Sequence, residues 1–62
     1  MYYIELIEQD LITYAEDFGS SKKEVIQNLI DDVNEFYNKH YKTLEEIIKD
    51  NNIIDVIINR ID

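Results

Sequence analysis

One glycine, no proline and no cysteine in 62 residues leave this chain almost nothing with which to break regular structure. Gly and Pro are the strongest local punctuators, so a chain nearly free of them favours helices whose ends are set by side-chain caps. The same counts remove two supports of a small fold. No disulfide can form and no thiolate can hold a metal. A single His argues against a structural zinc site. A domain this short buries only about 60% of the surface its unfolded chain exposes, and such folds are commonly completed by disulfides, metals or partners. Self-association is the support left over. The expected organisation is one domain, residues 1–62, completed by dimerisation.

The spacing of apolar residues predicts where the helices fall. Ile4, Ile7, Leu11, Tyr14 and Phe18 alternate steps of three and four, which predicts a helix over about 3–18. Ala15 beside that stripe permits close approach, and Gly19 is placed to end the helix in a left-handed conformation. Ser21-Lys22-Lys23-Glu24 reads as a capping box opening a second helix over about 22–40. Its stripe of Val25, Ile26, Leu29, Ile30, Val33, Phe36 and Tyr37 is broad enough to contact two elements. Thr43-Leu44-Glu45-Glu46 is a second capping box, for a helix over about 44–50. Asp50-Asn51-Asn52 then favours a turn.

The last segment, about 53–61, admits two readings. As a helix its isoleucines surround it on nearly all sides; as a strand its β-branched residues suit it. The helix is favoured because no other convincing strand is visible to pair with it. The expected fold class is therefore all-α, a helical hairpin plus one or two C-terminal helices in a three- or four-helix bundle. A final helix that is apolar all round needs cover from outside. That makes Ile53, Val56, Ile57 and Ile61 the expected oligomer interface.

Charge limits the partners. The chain holds 14 acidic and 6 basic residues, a net charge of −8. Glu5, Glu8, Asp10, Glu16 and Asp17 all precede the first basic residue, Lys22. Such a surface repels phosphate and anionic lipid and attracts basic protein. No signal-peptide pattern is visible and no apolar run reaches the roughly 18 residues a membrane span needs, so a cytoplasmic location is expected. The abundance of Ile, Asn, Lys and Tyr fits an AT-rich genome, such as that of a low-GC bacterium or its phage.

Catalytic constellations are missing from the pattern. There is no Cys nucleophile, Gly-rich phosphate loop, paired-His metal helix or calcium loop. His40 has no marked partner, and Ser20 and Ser21 read as turn and cap. The expectation is a protein without enzymatic activity, cofactor or metal.

Between Leu11 and Ile30 the chain resembles two families of small regulators. Ala15, Gly19 and Val25 have the spacing of helix–turn–helix DNA-binding units, with Thr13 to Gly19 similar to the first helix and turn of phage repressors. Ser20 and Asn28 depart from that pattern, standing where apolar residues are usual. Gly19, Ser21, Glu24 and Ile26 also resemble the helix join of ribbon–helix–helix repressors and antitoxins. That second resemblance implies a dimer with intertwined helices, but only Met1, Tyr2 and Tyr3 precede the helical pattern where that family has its DNA-reading strand.

Two functions from different classes follow. The first is a small acidic protein-binding module, such as a phage or mobile-element inhibitor occupying the basic, nucleic-acid-binding site of a larger protein. Glu5, Glu8, Glu16, Asp17, Asp31 and Glu35 are its expected contact residues, with nucleic acid and membrane disfavoured as partners. The alternative is a dimeric helix–turn–helix-like transcriptional regulator or antitoxin that contacts DNA through Lys22, Lys23 and Gln27.

Overall fold

The computed structural model describes residues 1–61 and shows an α+β fold in place of the expected helical bundle. Its elements are β1 (Tyr2–Glu8), β2 (Thr13–Gly19), α1 (Lys22–Tyr37), α2 (Leu44–Asp50) and β3 (Ile53–Arg60). The strands form one antiparallel sheet in the order β2-β1-β3. The two helices cover one of its faces, α1 lying chiefly over β2 and β1 and α2 against β3.

The segment expected to be the first helix is instead a β-hairpin. The core reads it with period two: Ile4 and Leu6 are fully buried beneath the helices, while Tyr3, Glu5 and Ile7 alternate onto the other face. The apparent helical stripe joins positions that serve different roles. Ile4 is core, Ile7 lies on the opposite face, and Leu11 is in the turn. That turn is tight, with Leu11 N–H donating to Glu8 O at 2.8 Å and Glu8 N–H to Ile12 O at 3.0 Å. Leu11 takes a φ of 64°. A left-handed residue other than Gly costs about 1–2 kcal/mol, so the hairpin closes against strain that no turn Gly relieves.

Gly19 has a different task from the one expected. No glycine in the described chain has positive φ; Leu11, Asn38 and Asn52 occupy those conformations. Gly19 is buried where β2 turns into α1, and a Cβ there would lie 2.6 Å from Val25 N. The residue lets the helix start pass directly over the strand end.

α1 keeps the expected start but ends at Tyr37, short of His40. Ser21 accepts from Glu24 N–H at 3.1 Å, as a cap should. Glu24 reaches back one residue further than the capping box predicts, accepting from Ser20 N–H at 3.0 Å and Ser20 Oγ at 2.9 Å. These bonds hold its carboxyl below the usual range. Val25, Leu29, Ile30 and Val33 pack into the core, whereas Phe36, expected on the same stripe, is 80% exposed. α2 has the predicted bounds and a complete capping box between Thr43 and Glu46.

The final segment is a strand, β3, pairing along the full length of β1. Its β-branched composition fits this. The argument for a helix rested on a missing partner strand, and β1 is that partner. Ile53, expected at an oligomer interface, lies in the core with Ile47 and Leu6.

Candidate functional site

Only one face of the sheet is covered by helices. The register identifies the residues on the other. β1 contributes Tyr3, Glu5 and Ile7; β2 contributes Thr13, Glu16 and Phe18; β3 contributes Asp55, Ile57 and Asn59. Among the described residues this open face carries three carboxylates and no Lys or Arg. Its apolar members are Tyr3, Ile7, Phe18 and Ile57, with the rings of Tyr3 and Phe18 5.2 Å apart. Phe18 remains 48% exposed.

The centre of the face is a bridged carboxylate pair. Glu5 stands directly across from Glu16 in the β1–β2 ladder. Like charges in that position repel. Tyr3 Oη donates between them, at 2.7 Å to Glu16 and 3.1 Å to Glu5, and Thr13 Oγ1 donates to the second Glu5 oxygen. The hydrogen bond to Glu16, then burial, then the bond to Glu5 push the Tyr3 phenol well above its ordinary value. Tyr3 therefore stays protonated and keeps the two carboxylates fixed in place, presenting concentrated negative charge beside aromatic rings.

The other expected contact residues do not join this face. Glu8 ends β1 next to the turn residues Gln9, Asp10, Asn51 and Asn52. Asp31 and Glu35 are exposed on α1, which covers the opposite side of the sheet. Asp17 points under α1. Its Oδ1 accepts from Phe18 N–H at 2.8 Å, while Oδ2 is buried without a hydrogen-bond partner. Burial, reinforced by the neighbouring Asp32 carboxyl, pushes Asp17 up to about 6. Asp17 is thus part of the joint between strand and helix, not a free surface charge.

A second aromatic group lies along the α1–β2 seam, unmarked in the sequence because its members come from separate elements. Tyr14 and Tyr37 stack at 4.9 Å, and Phe36 meets Tyr37 edge-on at 4.8 Å. They line a cavity of about 200 Å³ with Ala15, Leu29 and Asp32. Burial first, and then its neighbours Tyr37 and Tyr41, push the Tyr14 phenol up to about 12.

Lys22, Lys23 and Gln27 stand exposed in the first turns of α1. The element before them is β2, so residues 11–30 form a strand–turn–helix unit in which β2 is paired with β1 of the same chain. Among the described residues no group of three or more His, Asp or Glu is placed to hold a metal ion, and no helix is long and apolar enough to cross a membrane.

Together these features define a small α+β protein with one uncovered, acidic and aromatic sheet face. No family model, curated protein or solved structure matches the chain.

Proposed function

We propose that the protein is a non-enzymatic binding module whose open sheet face docks on a basic surface of a larger protein. The observation that carries this reading is the Tyr3-bridged pair of Glu5 and Glu16. Two like charges are held face to face by hydrogen bonds, on a sheet face whose described strand positions include no Lys or Arg. Cations supplied by a partner relieve that repulsion. Phe18 and Ile57 give the same partner apolar contact, the combination of anchor and steering charge found at protein interfaces. A cationic site that otherwise holds nucleic-acid phosphates is one surface of the required kind, consistent with an inhibitory role in a cell of AT-rich coding.

Affinity capture with mass spectrometry identifies the partner, and charge reversal then maps the contact. Glu5→Lys with Glu16→Lys is expected to weaken binding at least tenfold, about 1.4 kcal/mol. Asp31→Lys with Glu35→Lys, on the far side of the sheet, should change it less than threefold. Equal losses from the two pairs would remove the open face as the site. Sequence-specific binding to duplex DNA, abolished by Lys22→Ala and Lys23→Ala, would put the regulator reading first.

A further inference from the structure

The two edges of the sheet are β2 and β3, and β3 is the less capped of them: on β2, side chains take up both outward groups of Phe18 and the carbonyl of Tyr14. Ile61 N–H donates to Met1 O at 2.8 Å, which makes Met1 and Ile61 a hydrogen-bonded pair. Antiparallel ladders alternate, so Asn59, Ile57 and Asp55 turn their backbone groups towards β1. Val56 and Ile58 turn theirs outward, and among the described residues no side chain caps them.

We propose that β3 pairs antiparallel with β3 of a second copy of this chain, about a two-fold axis normal to the sheet and passing beside Ile57. An axis in that direction keeps each residue on its own face, so only registers that pair a residue with itself at the centre are allowed. With Ile57 at the centre, Val56 meets Ile58 of the second copy twice. Both have outward N–H and C=O groups, so each such pair forms two backbone hydrogen bonds. On the open face Asp55 then stands opposite Asn59, a carboxylate against an amide donor, and Ile57 packs on Ile57. The pairing joins two sheets into one of six strands with all helices on the same side. It adds backbone bonds and apolar burial to a chain too short to bury a large core.

The partner is a second copy because the strand complements itself in chemistry as well as geometry. β3 is apolar along its middle, and its only carboxylate falls opposite an amide. The remaining charge of each protomer opposes association, so the dimer is expected to tighten as salt screens it. Docking on a basic protein has the opposite salt dependence, so the two interactions can fail independently.

Sedimentation equilibrium on the full chain, from about 0.05 to about 0.5 M salt, tests this. The wild type should be a dimer that tightens with salt. Asn59→Asp places two carboxylates face to face in the proposed register and should weaken the dimer at least tenfold. Asp55→Asn combined with Asn59→Asp restores the pairing and should recover the wild-type constant. Ile57→Lys, which sets Lys against Lys at the axis, should give a folded monomer by circular dichroism and sedimentation. A wild type that stays monomeric at millimolar concentration would overturn the proposal. So would a dimer indifferent to Asn59→Asp, or one that the double variant fails to restore.

Discussion

The two edges of the sheet are treated differently. Along β2 the outward residues are Tyr14, Glu16 and Phe18; side chains take up three of their backbone groups, and Glu16 sets a charge between them. Asp17 accepts from Phe18 N–H, Asn28 Nδ2 donates to Phe18 O at 2.9 Å, and Tyr37 Oη lies 3.4 Å from Tyr14 O. Charges and covering groups of this kind blunt an edge against further pairing. Along the middle of β3 the outward positions are Val56 and Ile58, which have no charge and, among the described residues, no side-chain cap; the charged Arg60 stands only at the strand's end. Protection concentrated on one edge of a three-stranded sheet leaves the other as the route by which the sheet can grow.

The joint between β2 and α1 underlies that protection, and breaking it has the largest expected effect. Gly19→Ala puts a methyl group 2.6 Å from Val25 N, where backbone must move. The expected loss is about 3 kcal/mol in urea denaturation, with α1 displaced from β2. A loss below about 0.5 kcal/mol, the range of ordinary surface substitutions, would mean that the close approach is not tight.

Removing a single cap is milder. Asn28→Ala leaves Phe18 O without its donor and is expected to cost about 1 kcal/mol. It also exposes part of the β2 edge, so the variant should form species larger than a dimer in size-exclusion chromatography. A variant that elutes like the wild type would show that the caps do not decide which edge pairs.

The smallest effect sharpens the comparison through pH. Asp17 is raised from 3.8 to about 6 in the folded protein, first by burial and then by Asp32. A group raised on folding contributes stability that is fully present below its unfolded value and lost as pH rises through the folded one. The β2–α1 joint should therefore be firmest below pH 3.8 and lose this contribution by pH 7. Asp17→Asn removes the buried charge and keeps the acceptor for Phe18 N–H. It should stabilise the protein at pH 7 by less than about 1 kcal/mol after solvent screening. It should also flatten that part of the pH profile, as followed by thermal melts. Unchanged pH dependence would assign the effect to another group.

The helical half of the fold was legible because caps are local. Ser21 and Thr43 mark the starts of α1 and α2 within the sequence and both side chains cap as read, although the reciprocal bond of the capping box forms only at Thr43, Glu24 reaching Ser20 instead of Ser21. The hairpin was hidden by coincidence. Ile4, Ile7, Leu11, Tyr14 and Phe18 imitate a helical stripe because a tight turn joins two strands whose apolar residues sit on different faces. The usual turn signal is absent, since Leu11 holds the left-handed position that Gly would normally mark. With β1 unread, β3 had no partner and its β-branched residues could not decide its state. Of the expected contact residues, Glu5 and Glu16 do meet, but they do so across two strands. Helical spacing also put them on one face, for a reason that the structure replaces. The charge of Asp17 was visible, whereas its burial against Asp32 depends on a helix that crosses over it.

Amide hydrogen exchange measured at increasing protein concentration tests the contrast between the edges most directly. The amides of Val56 and Ile58 should exchange more slowly as concentration rises, while those of Glu16 and Phe18 on the β2 edge keep constant rates. Rates at Val56 and Ile58 that are independent of concentration, or slowing confined to Glu16 and Phe18, would contradict the account.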